Sequence, residues 1–460
     1  MPINEPHKEY RKNKDVWEKI ENITSNKDVG QHLITLNPLD LSPENVKRNE
    51  QYKARAIFYP IAGHTVTGLL GSIFRKAPKC EVSAELEYLK KNGSGSGLSI
   101  YQLSQAVCAD VLTNGRAGVA VSFPETTGEV TVAQIQNGDV SATIHHFSPV
   151  QILNWQTIRV GSKVLLSRVV LSECQMVAGA DEYSPKEEDV LREMFLDDAG
   201  VYSECVWRKI KEEWTPGEIK TPTDAKNQPW REIPFSFVGS ENNDPCCDNP
   251  PMLGIVDLNI GHFRNSADYE DSVWFCGQAQ PWMSGITQAH IDLLKTNGMY
   301  VGSRNLIGVP TGEQFGFAQA TANPMVRQAM VDKLDGMVAM GARLMQRGTV
   351  VKTASQDNNE QEAGTSRLSM VASNVSEAFT QALKWAARYV GAKEEGLDYQ
   401  LSQDFVNMSA SPQEIQQIVA GFMQGAIPPA DYVRWMKKQD LFDDTRTEEE
   451  YLDMLPAIGV

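Results

Sequence analysis

The residues of this chain best placed to do chemistry are carboxylates in two neighbouring stretches. Glu241, Asp244 and Asp248 stand in the loop ENNDPCCD, and Asp268, Glu270 and Asp271 follow on a helical stretch. Such acids can hold a calcium ion in a loop or the activating cation of a hydrolase on a helix. The loop lacks the EF-hand spacing, so a solvated turn stands beside the calcium reading. On the helix, Asp268 and Glu270 lie about 200° apart, which separates them rather than focusing them on one ion. Asp268 and Asp271 share a face, where a solvated helical surface competes with a metal site. A carboxylate metal-dependent hydrolase using Glu241, Asp244, Asp268 and Asp271 is therefore one reading, and it lacks a convergent histidine or a third close acid.

The other reactive residue types are placed less favourably. His145 and His146 are adjacent in a predicted strand and point to opposite faces, which opposes a shared metal. Cys246 and Cys247 are adjacent without a second cysteine pair, so a proline-packed loop competes with zinc. The run GSGSG at Gly93–Gly97 carries glycine where a nucleophile elbow needs serine, and it reads as a flexible turn. No GxxxxGK[ST] phosphate loop and no HExxH occurs. No catalytic residue, metal site or cofactor is expected, and the chain reads as a non-enzyme.

Lys and Arg number 43 against 59 Asp and Glu, a formal charge of -16. A sequence-independent grip on duplex phosphates needs a basic surface, so DNA contact is expected to be transient. The polar N-terminus MPINEPHKEYRKNKDVW lacks the apolar core of a signal peptide, and no apolar run reaches the roughly 18 residues of a membrane span. A soluble protein made in the cytosol is expected. Seven cysteines at irregular spacings fit reduced thiols better than a disulfide framework. At 460 residues the chain is long for one core, and more than one packed region is expected.

The elements that position these residues follow from periodicity. Ser42–Glu44 reads as a helix start, with the helix continuing through Arg55–Tyr59. Thr65–Phe74 is a short amphipathic element, and Leu98–Leu112 places Ile100, Leu103, Val107 and Val111 at helical spacing before Gly115 ends the helix. Val119–Phe123, Val130–Ile135, Thr143–Phe147, Val164–Leu171 and Glu204–Ile210 read as strands. Residues 1–235 are thus expected to form an α+β region. From Met252 to Val390 the pattern becomes long helix, insertion, long helix, polar loop and long helix. The first helix runs from Leu253 to Phe275. The second spans Pro324–Met345, where Gly336 and Gly341 invite a close helix neighbour. The third places Leu368, Val371, Val375, Phe379, Leu383 and Val390 on one stripe. Between the last two, TASQDNNEQEAG at Thr353–Gly364 holds three acids and no base.

Several ordered blocks resemble the portal proteins of tailed bacteriophages. They are YKARAIFYPIAGHTVTGLLGSIFRKAP at Tyr52–Pro78, LSIYQLSQAVCADVLTNGRAGVAVSFP at Leu98–Pro124 and IPFSFVG at Ile233–Gly239. LGIVDLNIGHFRNSADYEDSVWFCGQAQPWMSG at Leu253–Gly285 and TSRLSMVASNVSEAFTQALKWAARYVG at Thr365–Gly391 follow, and the ending carries Asp404-Phe405 and Gly425–Pro428. The resemblance implies an α+β portal fold: a wing over 1–235, a first stem helix with its lead-in over 236–278, and a clip over 279–323. It further implies a second stem helix over 324–346, a tunnel loop over 347–365, a long wing helix over 366–402 and a short helical crown over 403–460.

The same resemblance implies a ring, usually a dodecamer, at one capsid vertex of the virion, serving DNA packaging and ejection after synthesis in the bacterial cytoplasm. Implied partners are major capsid and scaffold proteins, the terminase large subunit, head completion or tail adaptor proteins, and double-stranded DNA in passing. The DNA-facing tunnel loop implied is Asp357, Asn358, Asn359, Glu360, Gln361 and Glu362. Its acids make physical sense there, because a negative collar lets a duplex pass without a grip. Another ring-forming head completion protein remains an alternative.

Overall fold

Tyr10, Trp17, Ile20 and Ile23 recur at helical spacing in a stretch otherwise rich in charge, and they fold it into α1 (Lys8–Thr24) with all four side chains buried. The Trp17 indole donates to the carbonyl of Asn114 at 3.2 Å, tying this helix to a distant part of the chain.

Ser42 starts α2 (Pro43–Arg55) by accepting from the Asn45 amide. The sequence predicts continuation to Tyr59, but the helix ends at Arg55 and Ala56 is extended. Pro60 disfavours helical backbone just before it. The freed segment is also used elsewhere: the Tyr59 carbonyl accepts from Asn259 at 2.9 Å, and the Phe58 ring meets Phe263 edge-on at 5.2 Å.

The computed structural model describes residues 2–123, 141–177, 186–277, 279–297, 312, 314–319, 324–345, 366–403, 405, 412–423, 426–438 and 446–454. The chain divides into two compact units, Met1–Leu70 with Pro78–Leu401, and Gly71–Ala77 with Ser402–Val460. The predicted strand at Val130–Ile135, the loop Asp357, Asn358, Asn359, Glu360, Gln361 and Glu362, and the residues Asp404 and Gly425 lie outside the described residues.

After α3 (Ile61–Ile73), β1 (Lys79–Glu81) and the single turn α4 (Leu89–Asn92) comes α5 (Ile100–Asn114). Ser99 and Gln102 cap it reciprocally, and the turn 93–97 hands the chain into it. Gly115 ends it in the left-handed region at φ 74°, where an added Cβ would lie 3.0 Å from the Asp248 carbonyl, so glycine is required on two counts.

A three-stranded sheet forms around β2 (Arg116–Ser122), flanked by β3 (Thr143–Phe147) and, much later in the chain, β9 (Phe235–Gly239). Between these flanking strands β4 (Ile152–Val160), β5 (Lys163–Val177), β6 (Lys186–Leu196), β7 (Tyr202–Ile210) and β8 (Glu213–Lys220) make an antiparallel five-stranded meander. Its buried Glu193 carboxylate is held by Arg168 and by the Trp207 indole. Sequence alternation points to β5 and β7. It misses β4, β6, whose adjacent Val190 and Leu191 are both buried, and β8, which carries Pro216 and Gly217.

The later half holds α6 (Leu253–Cys276), β10 (Gln280–Ser284), α7 (Gln288–Asn297), β11 (Gln314–Ala318), α8 (Pro324–Met345), α9 (Arg367–Val390) and β12 (Asp398–Gln400), which pairs with β1. Helices α6 and α8 lie within about a residue of their predicted bounds, whereas α9 stops at Val390 and not at 402, because Gly391 takes the left-handed region at φ 73° and ends it. Of the predicted α9 stripe, Leu368, Val371, Val375, Phe379 and Leu383 are buried, joined by Trp385, Tyr389 and a row of alanines. That breadth makes α9 a core helix, packed against α5, β2 and β9. In the second unit, α10 (Pro412–Met423) and α11 (Pro429–Lys438) meet through stacked Phe422 and Tyr432 rings, 4.1 Å apart, with Met436 beside them; α12 (Glu448–Met454) follows. The fold class is α+β, mixed helix with antiparallel sheets.

Candidate functional site

The helix pair α6 and α8, with the insertion between them, is the part of the fold whose residues point most clearly to a role. The two helices run antiparallel, the chain returning through the insertion, and small residues let them approach closely across the seam. An added Cβ at Gly336 would lie 3.2 Å from Leu258, and one at Gly254 would lie 3.3 Å from the Met340 sulfur. Gly261 faces the Lys333 stem, and the Lys333 ammonium donates to the Asn265 side-chain oxygen at 2.6 Å. Gly341 faces Thr65 of α3. Both predicted close-approach glycines therefore have a close neighbour within the same chain.

Other faces of α6 are fixed by polar contacts. The buried Asn259 side chain accepts from the Ala62 amide at 3.0 Å while donating to Tyr59. His262, buried beside Lys333, is held below the ordinary histidine pKa by burial first and by that cation second. Asp268 accepts from the Tyr52 hydroxyl at 2.7 Å, and Asp271 pairs with Arg55 at 2.5 Å. The two acids share a face, as helix geometry predicts; Asp268 is exposed and Asp271 half-buried, and both carboxylates are engaged by α2.

The loop acids are likewise engaged. The Asp248 carboxylate accepts from the Glu241 amide and Asp244 accepts from the Cys246 amide, both at 2.7 Å, while Glu241 meets Arg367 at 3.1 Å. Burial pushes the Asp248 carboxyl up. Among the described residues, no three of His, Cys, Asp and Glu converge as a cation site. His146 bonds Asp110 at 2.7 Å and His145 bonds Thr143 at 2.9 Å, so the adjacent pair turns to separate partners.

Arg116 is the residue this reading of the sequence passes over. Its buried guanidinium sits 4.4 Å from the Trp155 ring and 4.1 Å from the Phe237 ring, and it donates to the carbonyls of Pro245 and Cys246 at 3.0 and 2.7 Å. It fixes the Cys246-Cys247 loop through these two carbonyls. The available signal was a lone cation opening the apolar strand RAGVAVS.

The insertion is built on a hairpin of β10 and β11 in which Trp282 pairs with Gly316, and an added Cβ at Gly316 would lie 3.0 Å from the indole. Around it the apolar surface is uncovered: Val273, Trp274, Phe275, Trp282, Phe317 and Met325 are all exposed. Among the described side chains of α8 only Met337 of the large apolar ones is fully buried, and Val331, Leu334 and Val338 are exposed. No helix among the described residues is long and apolar enough to cross a membrane.

A family described as a domain of unknown function, DUF4055, matches residues 251–390, which is the span from α6 through α9. A chain of the virion of the native gene transfer agent particle is 13% identical, with 82% of this chain and 90% of that chain covered at a TM-score of 0.41. A chain of the native particle's neck computed with C12 symmetry is 12% identical, with coverage of 82% and 89% and a TM-score of 0.42. No curated protein matches the chain.

Proposed function

We propose that the chain is a portal-type subunit, which closes into a ring at a capsid vertex and gives DNA its passage during packaging and ejection. The observation that carries this reading is the antiparallel pair α6 and α8, interrupted by an aromatic hairpin and left with apolar side chains facing solvent. A subunit that keeps Trp274, Phe275, Leu334 and Val338 in water gains by covering them, and cyclic contacts cover them for every copy at once. The ordered sequence blocks supply the family expectation, including a dodecamer and docking of the terminase large subunit and of adaptor proteins.

The residues fit passage without binding. Asp357, Glu360 and Glu362 would recur on each copy, and a negative collar removes the counterion-release affinity that would arrest a moving duplex. No bond is made or broken by the subunit in this role, so intrinsic ATP or phosphodiester hydrolysis is not expected. The test replaces Asp357, Glu360 and Glu362 together by Lys. Rings still assemble and DNA packaging or ejection slows or stops. Packaging of full-length genomes at the normal rate by this variant would remove the loop from the channel.

A further inference from the structure

We infer that neighbouring copies meet head to tail, with the Leu39–Leu41 knob and outer face of α2 in one copy seated on the Val331, Leu334 and Val338 stripe of α8 in the next. This rests on the ring reading above and names the surfaces that close it.

The knob is the more exposed half. Leu39 is 92% exposed and Leu41 82%, values that solvent alone does not reward. The loop that carries them is nonetheless fixed. The Asp40 amide donates to the Asn37 carbonyl at 3.1 Å, the Asp40 carboxylate accepts from the Ser42 amide at 2.9 Å, and the Asn45 side chain donates to the carbonyls of Asn37 and Asp40. Two leucines held out on a rigid loop lose little freedom when they dock, which is the economy of a preorganised anchor. Behind them α2 turns Tyr52 and Arg55 toward α6, so Val46, Lys47, Glu50 and Lys53 point outward.

The stripe is the complementary half. Val331, Leu334 and Val338 follow at i, i+3 and i+7 on one face of α8, and Gly336 and Met340 turn the opposite way toward α6. Asp332 and Asp335 are exposed along its flank and exposed Arg327 stands at its start. The lysines of α2 answer these aspartates and Glu50 answers Arg327. Knob and stripe are different surfaces of one chain, so their contact is heterologous, and a heterologous contact propagates from copy to copy until it closes.

The experiment uses the full chain in three forms. Leu39→Asp with Leu41→Asp spoils the knob, and Leu334→Asp with Val338→Asp spoils the stripe; all four side chains are exposed, so far-UV circular dichroism stays that of the wild type. Each variant alone runs as a monomer by analytical ultracentrifugation. Mixed in equal amounts they give dimers and no rings, because each pair retains one intact knob facing one intact stripe. Charge reversal supplies an independent arm: Lys47→Glu with Lys53→Glu lowers ring yield at least tenfold, as does Asp332→Lys with Asp335→Lys, and the four changes together restore it. Rings from either leucine variant, or an equal mixture that stays monomeric, overturn the inference and leave the ring reading standing. A wild-type chain that is monomeric at every concentration overturns both.

Discussion

The Tyr52 hydroxyl donates to the Asp268 carboxylate across 2.7 Å, joining α2 to α6 at a point 216 residues further along the chain. With the neighbouring Arg55–Asp271 pair it makes a two-point clamp on the first long helix. Tyr52→Phe removes one hydrogen bond to a charged group at a partly exposed position, and a loss of about 1–2 kcal/mol is expected. Urea unfolding of Tyr52→Phe, Asp268→Asn and the double variant checks this, since a coupling near zero between the two changes would deny the clamp.

The seam between α6 and α8 has room for hydrogen at Gly336 and little else, because an added Cβ meets Leu258 at 3.2 Å. Gly336→Val is expected to destabilise by about 1–3 kcal/mol through overpacking. Leu258→Ala in the same chain should recover part of the loss, and thermal melts of the single and double variants show whether it does.

Burial, helped by Arg192, lowers the His145 pKa to about 4. The folded value lies below the ordinary histidine value of about 6.5. Neutral His145 therefore contributes its full share above that pH, and the contribution falls as pH drops from about 6.5 towards 4, because the unfolded chain takes up the proton first. His145→Gln should flatten this part of the stability curve, as measured by denaturant midpoints between pH 7 and about 4.

Tyr389 and Tyr399 are buried and Tyr88 is half-buried, and burial raises the pKa of each hydroxyl. Their protonated forms belong to the fold, so the stability they confer is complete below the ordinary tyrosine value of about 10 and is lost as pH rises above it. Denaturant midpoints should fall steeply in this alkaline range. Tyr399→Phe also loses the 2.6 Å hydroxyl contact with Ser104, which separates its effect from simple titration.

Legibility followed the kind of signal each element carries. The long helices α6, α8 and α9 could be read because their apolar residues recur at helical spacing over several turns. The same signal was present in α1 at Tyr10, Trp17, Ile20 and Ile23, where a lysine-rich surface masks it to a reader looking for targeting segments. The end of α2 could not be read from its own residues, since the use of Phe58 and Tyr59 by α6 is a long-range fact. At the candidate site, the shared face of Asp268 and Asp271 followed from helix geometry. Their partners Tyr52 and Arg55 did not, because no local pattern ties residues so far apart. Nor did the spacing of Gly336 and Gly341 say whether the close neighbour was the same chain or another.

Electron microscopy of the purified full chain at micromolar concentration tests the central claim most directly. The account predicts closed rings with cyclic symmetry and a central channel wide enough for a DNA duplex. A well-folded species that stays monomeric, or assemblies without a channel, would contradict it.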